Sequence, residues 1–259
     1  MFLELLDRGV SDSGGTLCVG LDPHAELVAR RFGPSADDVG RFLRWAIGET
    51  LPHACVYKPN AAFYEALGAR GLAVLQETTA TLHDAGRAVI LDAKRGDIAT
   101  SAAEYAKSAA DVIGADAITV VPYMGEDAVR PFLERGLFAF LLALPSNPSA
   151  EAIACHGEPP VCLQIAAIGA ELAAEYPGQV GLVVAATRPE WAAAIHEAGP
   201  DLAWLVPGVG AQGGDLDAFL GAAGGHARVL VNASRSIIGS DDPREAARTL
   251  KERLGGSGR

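Results

Sequence analysis

Short apolar runs recur along the chain, separated by longer stretches whose apolar residues return at helical spacing. Strands are predicted at 16–21, 55–58, 88–92, 117–121, 138–144, 181–185, 203–206 and 229–232. Most of these runs are continuous rather than alternating, as expected for parallel strands covered on both faces. Between them lie Ala-, Glu- and Leu-rich stretches of helical character, such as 61–85 and 189–198. Residues 1–8, Met-Phe-Leu-Glu-Leu-Leu-Asp-Arg, read as a short amphipathic helix rather than a signal peptide. Eight strands, each followed by a helix, predict an α/β fold closed into an eight-stranded parallel (β/α)8 TIM barrel, with a doubly wound open sheet as the second choice.

The polar residues sharpen that choice, because the distinctive ones follow strand ends. Asp22 follows the first strand, Lys58 ends the second, and Asp92 and Lys94 close the third. Pro122-Tyr123-Met124-Gly125 follows the fourth strand and Ser146-Asn147-Pro148 the fifth, with Gln212 and Arg235 after the seventh and eighth. The C-terminal rim is where barrel enzymes carry their chemistry.

The densest group is Asp92-Ala93-Lys94-Arg95-Gly96-Asp97-Ile98, directly after the apolar run 87–91. Residues two apart on a strand share a face, so Asp92 and Lys94 are expected to point the same way. Charges at the mouth of a buried strand must neutralise one another or meet a ligand. Flanking carboxylates favour the ammonium form of Lys94, which suits a proton donor better than a Schiff-base nucleophile. Taken alone, the same run also reads as a structural ion-pair network.

A second constellation lies near the C-terminus. Residues 207–215, Pro-Gly-Val-Gly-Ala-Gln-Gly-Gly-Asp, follow the seventh strand, and Asn232-Ala233-Ser234-Arg235-Ser236 ends the eighth. Clustered glycines let backbone N–H groups approach an anion, and an Arg can grip a phosphate with two parallel bonds. Phosphate sites after strands seven and eight recur in barrels. The glycines lack the spacing and place of a dinucleotide fingerprint.

Composition bounds the partners. The 259 residues carry a formal net charge of −11 and are 49% hydrophobic. That charge argues against a nucleic-acid surface or a polybasic membrane patch, and no apolar run reaches membrane-spanning length. Cys18 and Cys55 sit in strand-like runs as small hydrophobes, and Cys155, His156 and Cys162 lack zinc-site spacing, so no metal is expected. Reduced thiols fit a cytoplasmic enzyme. No linker divides residues 1–259, which are read as one barrel domain with a frayed tail at 254–259. The longest irregular stretch, 145–160, is a candidate lid.

Asp-Ala-Lys-Arg-Gly-Asp-Ile at 92–98 resembles the signature of the orotidine 5′-phosphate decarboxylase family, in its longer bacterial branch. Val19-Gly20-Leu21-Asp22-Pro23, Tyr57-Lys58-Pro59-Asn60, Pro122-Tyr123-Met124-Gly125, Ser146-Asn147-Pro148 and 207–215 extend the resemblance over nearly the whole chain. It implies decarboxylation of orotidine 5′-monophosphate to uridine 5′-monophosphate, the last step of pyrimidine synthesis, without metal or organic cofactor. It further implies that Asp22 and Lys58 hold the ribose, that Lys58, Asp92, Lys94 and Asp97 form an alternating charge array, and that Ser146 meets the pyrimidine. Gln212, Gly213 and Arg235 would take the phosphate. Asp97 and Ile98 would complete the site of the second subunit of a homodimer.

Two positions depart from the family pattern. Ser101 stands where a ribose-contacting Thr is usual and keeps the hydroxyl without the methyl, while Pro145 replaces a frequent Thr and lacks an N–H. Two other functions compete. A sugar-phosphate decarboxylase of the same superfamily needs acidic metal ligands after the first two strands, and Lys58 occupies the second of those places. A non-catalytic phosphate-binding barrel would not need Lys94.

Overall fold

The apolar runs become strands because both of their faces are covered. The computed structural model describes residues 2–209, 215–224, 226 and 228–256. Its strands are β1 (Leu17–Leu21), β2 (Val56–Pro59), β3 (Ala88–Arg95), β4 (Ala117–Val120), β5 (Phe138–Leu144), β6 (Val180–Val184), β7 (Ala203–Val206) and β8 (Val229–Ala233). They close in chain order into a parallel barrel, so the open-sheet alternative is set aside. β1, β2, β4, β6 and β7 are buried at every position, which is why their sequences do not alternate.

Seven strands lie within one residue of their predicted bounds at each end, and β3 departs. It continues beyond Asp92 to Arg95 because its polar end is tied to the next strand. The Lys94 N–H donates to Thr119 Oγ1 at 2.9 Å, and the Val121 N–H donates to the Arg95 carbonyl at 2.7 Å. Charged side chains conceal a strand whose backbone is still paired.

Helical stretches needed larger corrections. The predicted helix at 61–85 is two helices, Ala61–Glu65 and Gly68–Asp84, and Gly68 turns the chain between them with φ of 65°. The irregular stretch 145–160 contains a 3-10 turn, Pro148–Ala150, and a one-turn helix, Glu151–Ala154. The amphipathic start runs as a helix over Phe2–Ser13. At the other end a helix spans Pro243–Gly256, so residues 254–256, expected in a tail, are helical, while 257–259 lie outside the described residues. Arg248 supports that helix through ion pairs one turn away on either side, to Glu245 at 2.6 Å and Glu252 at 2.7 Å.

The chain divides into two compact units, one of Met1–Ala93, Lys107–Ala117 and Ala233–Gly256, the other including Lys94–Ala106 and Ile118–Asn232. Within the first, β1 and β2 pair with Gly20 opposite Lys58 and Leu21 opposite Pro59. The buried Tyr64 hydroxyl donates to the Leu21 carbonyl at 3.0 Å, fixing the end of β1 from the helix that follows β2. Cys18 and Cys55 are buried there as packing groups, and burial pushes the Cys55 thiol up to about 12. Within the second, β5 to β8 pair in order, and the fully buried Trp204 of β7 stacks on His226 with ring centroids 4.1 Å apart.

Candidate active site

The strand ends of the first unit gather opposite charges. Lys58, next to last in β2, places Nζ 2.7 Å from Asp92 Oδ2 on β3, and the two side chains are only 5% and 9% exposed. Burial opposes the ammonium charge, but the Asp92 and Asp22 carboxylates outweigh it and hold Lys58 above the ordinary lysine range. Asn60 steadies the pair. It forms a parallel bridge with Asp92, and its amide lies 3.4 Å from Asp92 Oδ2, while its Oδ1 accepts the Ala62 N–H at 3.1 Å and caps the next helix.

Asp22 follows β1 directly, and its Oδ1 is buried without a hydrogen-bond partner. Such an atom is costly and calls for an explanation, and a carboxylate oxygen can only accept. Ser234, after β8, has a buried Oγ in the same condition. It packs where β1 carries glycine: a Cβ on Gly20 would come within 2.6 Å of the Ser234 Cβ. The next residue, Arg235, opens the helix Arg235–Ile238 and is exposed.

In the second unit the polar end of β3 is shaped by its backbone. Lys94 has φ of 47°, a left-handed value that non-glycine residues rarely adopt, and its N–H is fixed by Thr119. The two-residue alternation expected to carry Lys94 alongside Asp92 is interrupted there: Asp92 is buried and Lys94 exposed. Strained residues of this kind concentrate where function holds them. Gly96 is required by a close approach, since a Cβ would lie 2.7 Å from the Val121 carbonyl oxygen. Asp97 lies beyond the strand and its Oδ1 accepts the Ile98 N–H at 2.8 Å. Ile98 is an apolar side chain left 50% exposed, and Ser101 is exposed on the helix Ala99–Lys107.

Ser146 is part-buried after β5, and its carbonyl accepts the Thr187 hydroxyl at 3.4 Å. Its neighbours Pro145 and Asn147 line an apolar cavity of about 300 Å³, together with Val121, Tyr123, Leu142 and Ile153. Gln212 and Gly213 lie outside the described residues. Asp215 caps the helix Leu216–Ala222 by accepting the Ala218 N–H at 3.0 Å.

Lys58, Asp92 and Asp22 are therefore brought into one electrostatic group. Lys94 is placed on the same strand as Asp92 but in a conformation that strand periodicity does not describe. From sequence, Asn60 belonged to a quoted motif without being given a role, and neither Tyr64 nor Thr119 was singled out. Asn60 follows Pro59 directly before a helix, which is an N-cap signal, and Thr119 is the one hydroxyl in the strand Ala117–Val120. Tyr64 gave no signal, being one more apolar residue in a helix. Among the described residues no group of three or more His, Cys, Asp or Glu could hold a metal ion.

Comparison with known proteins gives a consistent picture. Residues 15–250 match the model of the orotidine 5′-phosphate decarboxylase / HUMPS family. Orotidine 5′-phosphate decarboxylase of Herpetosiphon aurantiacus is 41% identical, covering 97% of this chain and 96% of its own length. The protein of the same name from Halobacterium salinarum is also 41% identical, over 98% of each chain. The solved structure of Leishmania donovani OMP decarboxylase aligns with a TM-score of 0.87 at 36% identity, over 99% of this chain and 98% of that one.

Proposed function

From the chain's membership of the orotidine 5′-phosphate decarboxylase / HUMPS family, we infer a division of labour among its strand-end residues. The enzyme decarboxylates orotidine 5′-monophosphate in pyrimidine biosynthesis, and its substrate is that nucleotide. Breaking the bond to the carboxylate leaves the electron pair on a ring carbon, in the plane of the ring, where no adjacent system delocalises it. The chemistry therefore demands a positive charge held beside that carbon before the bond breaks. The observation that carries the reading is the buried Lys58–Asp92 ion pair between β2 and β3, with Asp92 two residues before Lys94 in sequence.

In this reading Lys94 is the electrostatic stabiliser and proton donor: its Nζ–H bond breaks as the proton passes to the ring carbon, and the amine regains a proton from solvent. Asp92 lies by the departing carboxylate and orders the lysines. Asp22, whose buried oxygen lacks a donor, and Lys58 take the ribose hydroxyls, with Ser101 as a further ribose contact. Ser146 meets the pyrimidine, and Gln212, Gly213 and Arg235 bind the phosphate. The reaction needs no metal and no organic cofactor. The expected compartment is the cytoplasm, where cysteine thiols stay reduced. Among the described residues no helix is long and apolar enough to cross a membrane.

Phosphate recognition is tested through Arg235, exposed where a ligand can reach it. Arg235→Ala removes a charge-assisted contact of roughly 1.5–3 kcal/mol, or about tenfold to more than a hundredfold in binding. Catalytic efficiency should fall by that factor for the nucleotide and hardly change for the nucleoside, which lacks the phosphate. An equal proportional loss for both would assign Arg235 to fold support.

A homodimer with shared sites is proposed from Asp97 and Ile98, which lie past the end of β3, with the Ile98 side chain half exposed. Lys94→Ala and Asp97→Ala subunits, each inactive alone, should regain activity when mixed and exchanged, because one site per heterodimer is then intact. Exchange verified by mass with no activity recovered would rule out sharing.

A further inference from the structure

The segment after β5 carries Ser146, and its own backbone bonds are short-range, such as the Ala150 N–H to the Asn147 carbonyl at 3.2 Å and the Cys155 N–H to the Glu151 carbonyl at 3.2 Å. Prolines at 145, 148, 159 and 160 give it no N–H at those positions. Its main chain is instead gripped from the turn after β6. The Arg188 guanidinium donates through one terminal nitrogen to the Pro148 carbonyl at 2.9 Å and through the other to Glu151 at 3.0 Å. Beside it, the Thr187 hydroxyl donates to the Ser146 carbonyl. The turn itself is anchored to β5, with the Ala185 N–H donating to the Leu144 carbonyl at 2.9 Å.

We propose that Arg188 is a positioning residue for the decarboxylation: with Thr187 it holds the main chain that presents Ser146 to the pyrimidine. This rests on the reading of Ser146 given above. The Arg188 side chain is 13% exposed, whereas that of Glu151 is 68% exposed, so the immobile partner is the arginine. A fork that binds a carbonyl and a carboxylate of one short segment sets both its height and its rotation.

The geometry separates this role from fold support. Arg188 Nε is buried without a partner, so removing the guanidinium also removes an unsatisfied donor. Pro148 and Glu151 are exposed and regain water when the bonds are lost. Stability should therefore change little while placement of the segment suffers, and misplacement on the ångström scale costs about tenfold to a hundredfold in rate.

The test compares Arg188→Met, Ser146→Ala and the double variant in kcat, KM and melting temperature, with orotidine 5′-monophosphate as substrate. Arg188→Met should lower kcat/KM by about tenfold to a hundredfold and move melting by no more than about 3 °C. In the Ser146→Ala background the same change should cost less than about threefold, because the hydroxyl it positions is gone. Equal losses in both backgrounds, or an Arg188→Met enzyme as active as the parent, would overturn the proposal with the Ser146 reading intact. A fully active Ser146→Ala would instead overturn that reading, and the proposal with it. Arg188→Lys, which keeps a charged stem, should recover part of the loss. No recovery, together with early melting of both variants, would make Arg188 a fold residue and refute the positioning role.

Discussion

Lys94→Ala should lower turnover of orotidine 5′-monophosphate by at least about 10⁴-fold, since the proposed role makes Lys94 both the preorganised charge and the proton source. The same substitution should leave the fold intact, because the Lys94 side chain is exposed. The backbone supplies an internal control. Lys94 holds φ of 47°, where an L side chain is strained and glycine is not. Lys94→Gly should therefore be as inactive as Lys94→Ala but more stable by about 1 kcal/mol, the cost of a left-handed L residue. Measured kcat for both variants, beside their denaturation curves, checks the pair of statements. Near-parental turnover in either would remove Lys94 from the chemistry, and equal stability would remove the strain argument.

Asp92→Ala should damage stability and activity together. It leaves the Lys58 ammonium buried with its closest counter-charge gone, a loss of about 3–5 kcal/mol for a broken buried pair. Replacing both members by apolar residues, Lys58→Met with Asp92→Leu, should restore most of that stability and none of the activity. Urea denaturation of the single and double variants measures the contrast. If the double variant is no more stable than Asp92→Ala, the single loss is not due to an uncompensated charge.

The pH dependence of the pair has a definite sign. Lys58 is held above its ordinary value of 10.5, so its stabilising contribution is complete below about pH 10.5 and is lost as pH rises through the folded-state value. Acidification enters only when the carboxylate partners are protonated.

The barrel was legible because continuous apolar runs mark strands buried on both faces, and all eight runs became strands. Asp22, Lys58 and Asp92 were legible for the converse reason: charges at the ends of such runs have no packing purpose. What periodicity could not supply was the backbone at Lys94, where a left-handed residue follows from a hydrogen bond to Thr119, 25 residues away. The helix break at Gly68 hid because glycine is tolerated inside helices as well as between them. Arg188 was illegible for a different reason, since its partners lie on the turn after another strand and no local pattern relates residue 188 to residues 148 and 151. Pairings set by barrel register come from the fold, while the chemistry at a strand end can be read from the strand itself.

We propose that protein charges alone carry the decarboxylation. The most direct test is formation of uridine 5′-monophosphate by purified enzyme stripped of metal with a strong chelator and assayed in metal-free buffer. The same kcat and kcat/KM as untreated enzyme are expected, with no response to added magnesium or zinc. Loss of turnover on chelation, restored by a divalent cation, would contradict it.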